Sequence, residues 1–279
     1  MSEIKTWIKK EILAIVNNSQ ENDLQYAYRE KAWDEPLVGF SNAGDSYYYF
    51  FKEDTGDFYW MPLEAFKIKY AEDIKAEELT VITYVLPQTE KTKKLNRAES
   101  VYPAENWTRS RIYGEQFNNL LRKEIVDLLT GKGYSAVAPV LLPGWQVKKD
   151  TKYGFACNWS ERHAAFVAGL GTFGLCDGLI TARGKAVRIG SVVAKIAAEP
   201  DKREYLDKNE YCLFYSGGKC RKCAKRCPAG AISENGHDKQ ACNAYITGII
   251  TEYNQRCFNI DGAGCGLCQT GVPCESGIP

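Results

Sequence analysis

Eleven cysteines occur in 279 residues, and their placement constrains this chain more than any other feature. None precedes Cys157, and nine of the eleven fall between Cys212 and Cys274. Thiols packed this closely mean disulfides in a small secreted domain, but metal or cluster ligands in a larger chain kept reduced. The N-terminus does not read as a secretion signal, because Lys5, Lys9, Lys10 and Glu11 interrupt its apolar positions. Ile4, Trp7, Ile8, Ile12, Ile15 and Val16 instead share one helical face, which predicts an amphipathic first helix. No run approaches the ~18 consecutive apolar residues of a membrane span. The expectation is a cytoplasmic protein whose thiols are ligands. With 36 Lys and Arg against 35 Asp and Glu, the net charge of +1 argues against a polyanion as its main partner.

Composition divides the chain near residue 210. Residues 1–210 read as an α/β domain for cofactor and substrate. Phe117, Leu120, Leu121, Ile125, Leu128 and Leu129 recur at helical spacing over 113–129, and 160–168 is a second helix. Strands are expected at 46–51, 79–86, 136–142 and 187–195, where β-branched and aromatic residues gather and prolines punctuate the ends. Such alternation predicts an α/β sandwich. Residues 211–279 are rich in Cys, Gly and Lys and poor in large apolar side chains, so that this second domain needs an inorganic core.

Cys212-x7-Cys220-x2-Cys223 is repeated as Cys257-x7-Cys265-x2-Cys268, with Cys227 following the first copy and Cys274 the second. The run Cys220-Arg221-Lys222-Cys223-Ala224-Lys225-Arg226-Cys227-Pro228 is the strongest motif. A CxxC turn points two thiolates at one cluster, and the Cys before the proline serves the other in two-cluster ferredoxins. Zinc is the plainer alternative, but CxxCxxxCP is unusual for zinc and the chain holds only two His. Two 4Fe–4S clusters in a ferredoxin-like module are therefore expected.

That run, continuing into Ala229-Gly230-Ala231-Ile232, resembles the cluster motif of the epoxyqueuosine reductases, cobalamin-dependent iron–sulfur enzymes. Lys239-Gln240-Ala241-Cys242-Asn243-Ala244-Tyr245 is similar to the family's isolated Cys, and Gly264-Cys265-Gly266-Leu267-Cys268 through Cys274 to its final motif. Ala168-Gly169-Leu170-Gly171-Thr172-Phe173-Gly174 with Gly190-Ser191 resembles the loop and strand beside its corrinoid. The likeness is close over 135–279 and loose before. It implies one cluster on Cys212, Cys220, Cys223 and Cys274, and a second on Cys227, Cys242, Cys265 and Cys268. Cys212 stands in for a position where this chain has Gly217, and symmetry of the repeat would use Cys257 in place of Cys242. The resemblance further implies a nitroreductase-like α+β sandwich. It places cobalamin against Gly169, Gly171, Gly174, Leu179, Ser191, Ala244 and Gly266.

Two departures point to a different reaction. Ala136 stands where the family carries its proton-donating Asp, and alanine transfers no proton. The sequence stops five residues after Cys274, so the helical repeats that the family uses on tRNA are not expected, nor is tRNA as a partner. Tyr153, Cys157 and His163 are the remaining catalytic candidates, His163 for its titration near neutrality. The plain alternative for His163 is a surface residue. Cys176 reads as a small buried hydrophobe. Lys219, Arg221, Lys222, Lys225 and Arg226 form a basic cuff, either merely solvated or a landing patch for an acidic ferredoxin or flavodoxin. The function expected is a reductase passing low-potential electrons through two clusters to a corrinoid and then to a small organic substrate. The alternatives are an electron-transfer protein without cobalamin, or a flavin enzyme on the same chassis.

Overall fold

The computed structural model describes residues 3–279. In chain order the elements up to residue 194 are α1 (Glu3–Asn18), β1 (Leu37–Asn42), α2 (Ser46–Thr55), α3 (Pro62–Lys69), β2 (Thr80–Pro87), α4 (Glu90–Ala98), α5 (Glu105–Gly131), β3 (Ala136–Val137), β4 (Val147–Thr151), β5 (Gly154–Cys157), α6 (Glu161–Val167), β6 (Gly171–Phe173), β7 (Leu179–Thr181) and β8 (Val187–Ala194). A four-stranded sheet of order β1-β2-β8-β3 forms the middle layer, and every pairing in it is antiparallel.

All eight residues of β2 are buried, so both sheet faces must be covered. Successive side chains of a strand point to opposite faces. Val81 and Val85 accordingly face α2, α3 and α6, packing with Tyr48, Phe51, Phe66 and Phe166. Ile82, Tyr84 and Leu86 face α1 and α5, packing with Ile8, Ile12, Phe117, Leu121 and Ile125. Burial of each such aliphatic side chain contributes about 1.5–3 kcal/mol.

Two expected strands are corrected. Residues 46–51 begin α2: the Asp45 side chain accepts from the Tyr47 N–H as an N-cap, and Tyr48, Phe51 and Thr55 line the buried face. Local strand preference is overridden there by the cap and the helical spacing of the apolar side chains. Of 136–142 only Ala136–Val137 pairs with β8, because Pro139 opens a 3-10 turn. β1 carried no clear sequence signal.

The rest of the chain is built from short pieces: α7 (Leu213–Gly217), α8 (Lys222–Lys225), β9 (Ile232–Ser233), β10 (Gly236–His237), α9 (Lys239–Tyr245), a π-helical turn (Ile246–Ile250) and α10 (Thr251–Phe258). Its core is a third cluster in which Cys212, Cys223 and Cys274 are buried with Ile232 and Val272. Leu175, Cys176 and Ile180 of the β6–β7 region complete it, so packing crosses the compositional boundary.

α4 and α5 hold this module in place. Asn96 donates to Thr270 Oγ1 at 3.1 Å, Arg97 pairs with Glu275, and Thr108 donates to Asn254 Oδ1 at 3.1 Å. Arg226 donates to four carbonyls, those of Asn96, Glu99, Leu267 and Thr270. Arg226 therefore leaves the expected basic cuff and acts as a clamp. Among the described residues, no helix is long and apolar enough to cross a membrane.

Candidate iron–sulfur centre

Cys212 caps α7, Cys220 precedes α8, Cys223 lies within it, and Cys274 comes from the last turn of the chain. These elements are distant in sequence, yet all four cysteines line one cavity together with Lys185 and Lys222. The thiols border a space instead of converging on a point. Among the described residues, no three His, Cys, Asp or Glu are gathered tightly enough to hold a single metal ion.

A second group lies beyond the Cys220–Cys227 run. Burial pushes the Cys265 thiol up to about 11, and the neighbouring Cys242 and Cys227 add to the rise. Cys268 is buried against Cys176 and is also influenced by Cys265. Cys257 stands apart, exposed on α10 beside Tyr253 and Arg256. Cys227, Cys242 and Cys265 thus lie near one another, apart from the cavity lined by Cys212, Cys220, Cys223 and Cys274.

The residues expected to hold cobalamin do not surround one space. A Cβ on Gly169 would lie 2.9 Å from the Lys202 carbonyl oxygen, and one on Gly171 would run into that of Ile180. The glycine loop is therefore required by protein packing in the β6–β7 hairpin, not by a flat ligand. Leu179 is buried in the first core. Ser191 is fully buried, accepting from Trp159 Nε1 at 3.0 Å and donating to the Glu161 carboxylate. Gly174 borders the cavity of the first thiol quartet. Ala244 is exposed on α9, and a Cβ on Gly266 would meet the Trp107 ring of α5. Of the seven, Gly171, Leu179 and Ser191 are enclosed by protein, whereas Gly174 borders a cavity and Ala244 is exposed.

The catalytic candidates are also separate in their chemistry. Tyr153 is partly exposed at the β4–β5 turn and donates to Asp54 Oδ2 at 2.5 Å. Cys157 ends β5, and burial raises its thiol pKa. The His163 ring stacks on Phe51 with centroids 3.9 Å apart, and its Nδ1 is 3.1 Å from the Tyr59 hydroxyl. Enclosure, with the Arg162 and Lys239 charges, holds its pKa down to about 3. It is neither the surface residue nor the near-neutral acid that the sequence suggested. Ala136 is fully buried in the second core, where a carboxylate would meet apolar side chains.

Compared with known proteins, no family model matches the chain. A curated epoxyqueuosine reductase of Staphylococcus aureus is 27% identical over 171 residues, which is 60% of this chain and 40% of that relative. The solved epoxyqueuosine reductase of Bacillus subtilis superposes with TM-score 0.50 at 18% identity, covering 98% of this chain and 66% of its own. The chain is thus similar in sequence to one epoxyqueuosine reductase and shares the fold of another. A catabolic reductive dehalogenase shares the fold as well, with TM-score 0.53 at 16% identity over 97% of this chain and 36% of its own. The chain thus spans less than half the length of the curated epoxyqueuosine reductase that it matches.

Two residues that sequence reasoning passed over, His237 and Lys185, lie beside these cysteines, and Asp177, which lies near the glycine loop in sequence, joins them. His237 Nδ1 lies 3.2 Å from Asp177 Oδ2, and Asp177 and then Cys242 hold its pKa up to about 9. Lys185 is 3% exposed and lines the thiol cavity. No sequence signal marked it, since a lysine between two strands is ordinarily solvated. Burial works against its charge, but Cys176, Cys274, Cys223 and Cys268 outweigh burial and hold its pKa above the usual value.

Proposed function

We propose that this chain is an iron–sulfur reductase that takes low-potential electrons from a soluble donor and delivers them to a small organic acceptor. The observation that carries the reading is the convergence of Cys212, Cys220, Cys223 and Cys274 on one cavity. Cys227, Cys242, Cys265 and Cys268 are the ligand set for the second cluster. Kinship with the epoxyqueuosine reductases supports the same chemistry. When bound, 4Fe–4S clusters supply one-electron transfer at low potential.

The chain's own residues do the rest. Cys223 lies in α8 and Cys227 just after it, so ligands of the two quartets are separated by only three residues of backbone. Arg226, between them, fixes that segment to α4 and to the 267–270 turn. Lys219, Lys222 and Lys225 stay exposed beside the first quartet, and Arg221 pairs with Glu234. These lysines form the face on which an acidic ferredoxin or flavodoxin would dock. Salt should weaken that docking by screening.

No step is assigned to cobalamin, because Gly171, Leu179 and Ser191 among its expected contacts are packed against protein. That packing favours, as a second reading, an electron carrier with no organic cofactor. Calorimetry of the cluster-loaded protein with hydroxocobalamin separates the two from a corrinoid enzyme, micromolar binding reinstating the corrinoid. The cluster reading is tested by anaerobic purification and reconstitution, with about eight iron and eight sulfide expected per chain. Stoichiometric zinc without iron would end it.

A further inference from the structure

We infer that Lys185 is the fixed counter-cation of the cluster held by Cys212, Cys220, Cys223 and Cys274, and that it raises this cluster's potential. The inference rests on the cluster reading above. Lys185 follows the turn after β7, and its backbone N–H donates to the Cys274 carbonyl at 2.9 Å. That bond seats it beside the last ligand of the quartet. Its side chain lines the same cavity as the four thiols. Nζ donates to Cys176 Sγ at 3.2 Å, and no carboxylate of the described residues reaches it.

An ammonium taken out of water is strongly unfavourable unless an anion offsets it, and the groups within reach of this one are thiols. The cost is offset if the occupant of the cavity is itself an anion, as a four-iron cluster with four thiolates is. Cys176 packs with Cys223 and Cys268, one from each quartet, and so steers the ammonium to the seam between them. Reduction adds one negative charge to the cluster. A cation held nearby therefore stabilises the reduced form more than the oxidised one, and the potential rises. One electron leaves a reduced ferredoxin- or flavodoxin-type donor and enters this cluster. The donor is oxidised, the cluster is reduced, and no bond or proton changes place.

Redox titration followed by electron paramagnetic resonance tests this, with iron and sulfide assayed on the same samples. The full chain should show two midpoint potentials. Lys185→Met should lower one and leave the other in place at unchanged iron, while Lys185→Arg stays close to the parent. Loss of about half the iron in the Met variant, but not in the Arg variant, would equally show that the charge is needed. If Met and Arg variants behave alike, whether both unmoved or both depleted, the inference is overturned. A parent chain that takes up no iron fails the cluster reading itself, and the iron assay identifies that outcome before any potential is measured.

Discussion

In the sheet unit every residue of β2 is buried, and side chains such as Phe66, Phe117, Ile125 and Phe166 fill the layers on either side. In the module that follows, the buried core joins the thiols of Cys212, Cys223 and Cys274 to Ile232, Val272 and three residues lent by the β6–β7 region, Leu175, Cys176 and Ile180. The first region excludes enough apolar surface from water to hold itself. The second buries fewer large apolar side chains, and on the proposed function its stability would depend on what its cysteines bind. Within one chain, stability comes from two sources, and each should fail under different conditions.

Withholding iron should have the largest effect. Hydrogen exchange on chain produced without iron should show protection lost across 212–274 and kept in β2, β8 and α5. Equal protection in both regions would remove the contrast. Core truncation gives the converse case: Ile125→Ala should cost about 2–5 kcal/mol. It should lower the melting temperature of the sheet unit while the iron content of the folded protein is unchanged. Loss of iron in step with stability would mean that the two regions unfold as one.

The contrast sharpens inside the module. Cys242→Ala should remove about half of the iron, whereas exposed Cys257→Ala should leave it intact. The opposite result would make the internal cysteine repeat the guide to the ligands.

The smallest effect concerns acid. His163 has its folded pKa lowered to about 3, below the ~6.5 of an unfolded histidine. Between those values the unfolded chain binds the extra proton, so this group's contribution is full above ~6.5 and falls as pH drops toward 3. Urea midpoints at pH 7 and 5 should therefore differ less in His163→Phe than in the parent. An identical pH slope in both would show that the ring is not held neutral.

Local sequence determined whatever depends on residues close together along the chain. The spacing of Ile8, Ile12 and Val16 makes α1 amphipathic wherever it packs. The CxxCxxxCP run brings Cys220, Cys223 and Cys227 onto one short turn whatever surrounds them, because covalent geometry limits their reach. β2 and β8 were legible from their β-branched and aromatic residues. Tertiary structure decided the remainder. It joined Cys212 and Cys274 to the Cys220–Cys223 turn, exposed Cys257, and set Gly171 against a strand. It also turned the tyrosine-rich stretch after Asp45 into a helix and buried Lys185 among thiols. In each of these the deciding neighbour is brought in by the packing of distant segments, and its charge, bulk or exclusion of water is absent from the spacing of the residues themselves.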